Sequence, residues 1–477
     1  MTDELLAQVM GAGARPVVLR GGMVLTLDPD LGGLPEGDVV IESGRITSVA
    51  PSGASLPTGA IVVDTRGKLV MPGFIDGHRH CWQGSMRRLI PDADLPLYMS
   101  VTHDGIARHY RPEDMYIGDL VALLGALDSG FTTVTDLSHN SRSRAHSDAV
   151  FRAYREAGIR AVHASAPPNA GDWEEQWPDD LVRLKELADA DPLITLRMAI
   201  DMRRIKPAEE LMAIARGLGL AITFDGVMGA GSSDELASLG ERGLLGPDVT
   251  IIHATTLSEA AWTQLIAAGV HIVLATTSDE QLGLAGAVPP VQRVMDAGIR
   301  PGLSVDVEIS LAGDPFTQMR ATMLTQRMHA TVEGMAGRTM PRRLESAEVL
   351  EWATLGGADS VGLADQLGSL TPGKQADLLV ANVSDAVSIP AGNAVALAVH
   401  GIDRASIEAV FVAGRPRKWA GRLVDVDLDA VRVQAEASRA YLVEQAGFTL
   451  DIDGLHGVPE LQDDYLRSYL GAHDDTV

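Results

Sequence analysis

Two histidines stand two positions apart in MPGFIDGHRH, at His78 and His80. On a β-strand, side chains two apart share a face, so both imidazoles project to the same side. Two neutral imidazoles converging on one point are the beginning of a transition-metal site. The apolar run that ends Pro72-Gly73-Phe74-Ile75-Asp76 supplies the buried strand that such a pair needs. A second apolar run closes as TDLSHN, with Asp136 and His139, and a third as RAVHAS, with His163. These three are candidate pocket-lining residues, and Asp136 is equally suited to orienting a histidine from behind. Trp82, Gln83, Tyr98 and Met99 follow in the long connection after the histidine pair and are candidate substrate contacts. The chain has no GxSxG elbow, no GxxxxGK[ST] phosphate loop and no GxGxxG after its first long apolar strand, so serine-nucleophile and nucleotide chemistries lack their usual motifs.

The elements around these residues alternate in type. Apolar strands are expected at about Val70–His78, Thr132–Ser138, Arg160–Ala166, Thr195–Asp201, Ala221–Val227, Val249–Ala254, His271–Thr276 and Arg300–Asp306. Segments with helical spacing lie between them, clearest in HSDAVFRAYREAG, PAEELMAIARGLG, SEAAWTQLIAAG and PPVQRVMDAG. Each of those four ends in a glycine (Gly158, Gly219, Gly269, Gly298), the residue that best terminates a helix in the left-handed conformation. Eight β/α units in roughly 240 residues match a closed (β/α)8 TIM barrel, whose chemistry sits at the C-terminal ends of the strands. A doubly wound open sheet is the rival, but it does not call for eight units. Short strands precede the barrel (PVVLRGGMVLTLD, GDVVIESGRITSVA, AIVVDTRGKLV) and others follow it (GKQADLLVANV, IEAVFVAGRPRKWAGRLV). They imply a small composite β-sandwich built from both chain ends. The expected division is therefore sandwich over 1–68, barrel over 69–365, sandwich again over 366–425, and a C-terminal helix with an acidic tail over 426–477. Tyr465 and Leu466 in that tail could pack on a neighbouring subunit.

Composition narrows the partners. With 46% hydrophobic residues in a chain of 477, general disorder is excluded. A net charge of −25, from 39 basic and 64 acidic residues, argues against nucleic acid and against an anionic membrane surface. Cys81 is the one cysteine, so no disulfide forms within the chain. No stretch approaches the ~18 apolar residues of a membrane span. MTDELLAQVM lacks the basic and apolar regions of a signal peptide, and the expected location is cytoplasmic.

The motif PGFIDGHRH resembles the first-strand motif of the amidohydrolase superfamily, metal-dependent hydrolases with a barrel and a composite β-sandwich. GDVVIESGRITSVAP, GKQADLLVANV and VFVAGRP are similar to that family's flanking sandwich. HRHCWQ, TDLSHN, IIHATTLSE and LSVDVEISLAGDPFTQMRA resemble members of the triazine, cytosine and urea-herbicide branch, among them molinate and phenylurea hydrolases. The resemblance spans about residues 17–425. It implies that His253 is the sixth-strand histidine, which binds metal or polarises the substrate carbonyl. It implies that Asp306 is the eighth-strand aspartate, which touches the metal and takes the proton of the attacking water. Both stand at the polar end of an apolar strand, VTIIH and PGLSVD. The fifth strand departs from the pattern: Asp225 occupies the place of the usual histidine, and Met228 that of the acid three residues on. TLRMAID carries no lysine for a bridging carbamate.

One divalent transition metal ion is therefore expected, zinc first, with iron, manganese or cobalt compatible, on His78, His80, Asp225, His253 and Asp306. Such an ion lowers the pKa of bound water toward ~7. Asp306 would serve as general base and later acid, and His253 would stabilise the oxyanion. The implied function is hydrolysis of a C–N bond in a small amide, urea, carbamate or similar substrate by a homo-oligomer, a dimer or tetramer. The rivals are a deaminase of a purine, pyrimidine or triazine-like ring, weakened by Met228, and a metal-free binding barrel, suggested only by Asp225.

Overall fold

The computed structural model describes residues 1–53, 55–202, 207–284 and 288–458, so Tyr465 and Leu466 lie outside the described residues. The first strands, rich in valine and isoleucine, are β1 (Val17–Leu25), β2 (Gly33–Glu42), β3 (Arg45–Pro51), β4 (Ile61–Asp64) and β5 (Lys68–Pro72). Eight more follow: β6 (Phe74–Arg79), β7 (Phe131–Ser138), β8 (Arg160–Ser165), β9 (Ile194–Asp201), β10 (Ala221–Met228), β11 (Val249–Thr255), β12 (His271–Leu274) and β13 (Gly302–Leu303). The chain then returns through β14 (Leu378–Asn382), β15 (Ile407–Val412), β16 (Arg415–Trp419) and β17 (Arg422–Leu423).

Strands β6 to β13 are neighbours in strict sequence order, and every ladder between them is parallel. The sheet closes where β6 meets the segment after β13. Asp306 N–H donates to the His78 carbonyl and His80 N–H to the Asp306 carbonyl, both at 3.0 Å. A parallel bridge between Arg79 and Asp306 marks the same seam. This is a (β/α)8 TIM barrel. The glycines at 158, 219, 269 and 298 all take a left-handed φ of 65–69° between helix and strand. Among the described residues, no helix is long and apolar enough to cross a membrane.

The two chain ends meet in one nine-stranded sheet ordered β17-β16-β15-β14-β5-β1-β2-β3, with β4 on β1. Its central joint is the antiparallel pair β5–β14, with Val70 opposite Val380. Val17, Leu19, Val63, Val70, Val380 and Phe411 pack in its apolar core. Here the strand expected over Val70–His78 proves to be two. Val70–Pro72 belongs to the composite sheet, and the barrel strand starts at Phe74. Gly73 is the joint, because a Cβ there would overlap the Thr132 side chain. Likewise the seventh strand stops at Leu274, and Thr276 already opens the helix Thr276–Leu282.

Candidate functional site

Five of the expected side chains converge at the C-terminal mouth of the barrel. His78 lies one residue before the end of β6 with His80 just beyond it, Asp225 lies on β10, His253 on β11, and Asp306 on the seam after β13. None is more than 6% exposed. Asp306 Oδ1 stands 3.0 Å from His78 Nε2 and 3.1 Å from His80 Nε2. Asp225 Oδ1 stands 3.3 Å from His253 Nε2 and 3.7 Å from His78 Nε2. One donor atom from each of His78, Asp225 and His253 fits within 4.8 Å of the others, and so does one from each of His78, His80 and Asp306. The two triads share His78. Arg79, between the histidines in sequence, pairs with Asp76 and Glu308 instead.

Backbone and neighbours fix these groups. His253 (φ 69°) and Asp306 (φ 64°) hold left-handed conformations, which His, Asp and Asn tolerate better than most residues. Two residues absent from the expected set complete the arrangement. Asp279 Oδ1 lies 2.7 Å from His253 Nδ1. A carboxylate partner at Nδ1 orients the ring and leaves Nε2 facing the space shared with Asp225. The Ser278 hydroxyl donates to Asp306 Oδ2. Burial opposes ionisation of Asp306, but hydrogen bonds from His78 and His80 outweigh it and hold the carboxyl well below the usual range. For Asp225, burial is likewise overcome, first by the charge of His78 and then by the nearby imidazoles of His253 and His80. Burial lowers His253, yet Asp279 and Asp225 together raise it well above an ordinary imidazole. The site concentrates negative potential.

A divalent ion suits this donor set. Three imidazoles and two carboxylates share one buried space, and Asp225 Oδ1 has no hydrogen-bond donor.

The remaining expected residues divide into two groups. Trp82, Gln83, Tyr98 and His139 form a wall beside the histidines. The His139 ring stacks on His80 at 4.3 Å and 3°, and Trp82 lies 5.7 Å from His139. Gln83 Nε2 donates to Tyr98 Oη at 2.7 Å. Met99 is buried next to Tyr98. His103 joins this wall, 3.2 Å from Tyr98 Oη and 5.1 Å from the His139 ring centroid. Its short connecting helix (Met99–Ile106) gives no periodic signal in the sequence. Asp136 and His163, in contrast, do not line the pocket. Both meet the hydroxyl of Tyr154, on the helix Arg144–Ala157 outside the barrel, at 2.6 and 2.8 Å. They face the helical layer, and burial pushes His163 down to about 4, leaving it neutral at physiological pH.

Comparison with known proteins agrees with this geometry. The chain matches the amidohydrolase family over residues 69–417. It is 28% identical over 397 residues to a 5-methylthioadenosine/S-adenosylhomocysteine deaminase of Desulforudis audaxviator, covering 80% of this chain and 88% of that one. It is 26% identical over 396 residues to a 5'-deoxyadenosine deaminase of Methanothermobacter thermautotrophicus, with 80% and 88% covered. Its fold resembles that of a zinc-bound adenosine deaminase from Xanthomonas campestris (TM-score 0.76, 23% identity, 90% and 98% covered). It also resembles the zinc complex of atrazine chlorohydrolase from Arthrobacter aurescens (TM-score 0.74, 22% identity, 89% and 100% covered). The chain thus belongs to the amidohydrolase family, whose members bind a divalent metal, and is a hydrolase of carbon–nitrogen bonds other than peptide bonds.

Proposed function

We propose that this protein is an aminohydrolase of an adenine-type ring, replacing the exocyclic amino group by oxygen and releasing ammonia. The observation that carries this reading is the naming of its relatives as deaminases of adenosine derivatives. His78, His80, Asp225, His253 and Asp306 would hold one divalent ion, zinc first. When bound, such an ion supplies a water acidic enough to ionise near pH ~7. Asp306 would accept a proton at its carboxylate from the attacking water and pass it to the leaving nitrogen, with Ser278 steadying its other oxygen. His253, held by Asp279, would stabilise the negative charge that water attack pushes onto the ring. Trp82, Gln83, Tyr98, His103 and His139 form the wall against which a planar substrate would lie.

Hydrolysis of a urea, carbamate or amide, as the likeness to molinate and phenylurea hydrolases suggests, is the second reading. Met228 favours it, since no acid stands there to protonate a ring nitrogen. Ammonia release from adenosine, 5'-deoxyadenosine, 5-methylthioadenosine and S-adenosylhomocysteine, assayed beside amine release from phenylureas and thiocarbamates, separates the two. Turnover of the ureas alone rejects the deaminase. No turnover by metal-loaded enzyme rejects both, and absence of metal from the purified protein returns the non-catalytic barrel.

We propose as well that the protein works as a homo-oligomer in the cytoplasm. Leu324, Met328, Val332 and Met335 form an exposed apolar stripe on the helix Pro315–Met335, at 67, 65, 49 and 84% exposure. Met340 continues it by packing beside Gly334. A contiguous row of large exposed apolar side chains is the kind of surface that marks an interface. The occupant proposed for this face is a second copy of the chain. Light scattering at micromolar concentration should give a multiple of 50.5 kDa. Met328→Glu should lower that mass without changing kcat; a wild-type monomer rejects the interface.

A further inference from the structure

Behind the wall of the site lies a buried cluster that the reaction does not use. Asp119, on the helix Pro112–Asp128, is wholly inaccessible, and neither of its oxygens meets an N–H or hydroxyl donor. Its neighbour is the Asp136 carboxylate, with Cys81 close by: one donor atom from each of the three lies within 4.8 Å of the others. Asp136 is fully engaged. Its Oδ1 accepts the Cys81 N–H at 3.0 Å, and its Oδ2 accepts the Tyr154 hydroxyl at 2.6 Å. Cys81 is the residue directly after His80, and it opens the turn Cys81–Met86 that carries Trp82 and Gln83.

We propose that Asp119 is a positioning residue: as a neutral carboxylic acid it donates to Asp136, which through the Cys81 amide pins the chain at His80 and Trp82. Two carboxyls within 4.8 Å of each other in a dry interior strongly disfavour double ionisation. Burial, together with the adjacent Asp136 charge, raises Asp119 well above an ordinary carboxyl. Asp136 already accepts two hydrogen bonds and Asp119 none, so the shared proton belongs on Asp119, from which it supplies Asp136 with a third donor. A second contact makes the brace stiff. Gly84 of the turn and Gly118 of the helix pack backbone to backbone, and a Cβ on either would overlap the other segment. The Tyr110 hydroxyl adds a hydrogen bond to the Trp82 carbonyl at 3.0 Å. The helix that carries Asp119 thus grips the turn at both glycine and carboxylate.

This inference rests on the metal reading above, and its test keeps the two apart. Asp119→Asn retains shape and a donor, whereas Asp119→Leu retains only volume. The readouts are metal content after dialysis against chelator, the visible spectrum of the cobalt-loaded chain, and kcat and KM. Asp119→Asn should match wild type within about twofold in all of them. Asp119→Leu should lose metal about tenfold faster and shift the cobalt spectrum, the scale of effect seen for groups that orient metal ligands. The proposal is overturned if Asp119→Leu keeps wild-type metal retention and spectrum, whatever its melting temperature. It is also overturned if Asp119→Asn is as damaging as Asp119→Leu, or if wild type binds a second ion that Asp119→Asn loses. Should Asp119→Leu not fold, Asp119→Asn decides alone: agreement with wild type supports the brace, and divergence rejects it. A wild-type chain that takes up no metal fails the metal reading instead.

Discussion

Asp306→Asn keeps the fold and loses at least about 100-fold in kcat, the usual scale for removing a general base. The substitution is clean for a structural reason. Asp306 sits at φ 64°, a conformation that asparagine adopts readily, so the seam hydrogen bonds through its backbone survive. The amide still offers one oxygen to His78, His80 or the Ser278 hydroxyl, but it cannot take up a proton near neutral pH. The variant should therefore show wild-type melting and near-wild-type metal content at saturating zinc, with the loss falling on turnover. Turnover within a few-fold of wild type would remove Asp306 from the proton transfer.

Changing His78 and His80 together to alanine empties the site of metal, from about one ion per chain to below about a tenth of that, because both triads of donors lose His78. Elemental analysis of the dialysed protein reads this directly. Metal unchanged in the double variant would mean that the ion binds elsewhere. Asp225 is the informative control. Asp225→His restores the more usual imidazole and should keep the metal while shifting preference away from harder ions, since a carboxylate favours those. If Asp225→Ala leaves metal content, metal preference and rate all unchanged, Asp225 holds structure rather than the ion.

How far the sequence exposes this site depends on what each residue's strand looks like. His78, His80, His253 and Asp306 are legible because each is a polar residue closing an apolar run, where a barrel presents its chemistry. Asp136 and His163 stand in the same kind of position, yet they point to the helices. In β7 and β8 every residue is buried. Alternation then defines two faces without telling the lumen from the helical layer, since both are dry. Ser278 and Asp279 are missed for another reason. The strand β12 ends two residues early, and the TTSDE segment turns at once into a helix whose first turn carries both groups. His103 lies in a connection whose shape is set by packing against Trp82 and Tyr98, which no local pattern encodes.

The seam of the barrel carries a thermodynamic consequence. Strand β13 pairs with β12 over two residues only, and closure onto β6 runs through the backbone of His78, His80 and Asp306. The groups that would grip an ion are the same ones that stitch the first strand to the last. Ion uptake and ring closure are then linked equilibria. Each tenfold rise in free metal above its dissociation constant adds about 1.4 kcal/mol to the folded state. That increment acts at the joint where the ring has its shortest ladder, so chelation loosens the seam between β6 and β13 before it loosens the far side of the barrel.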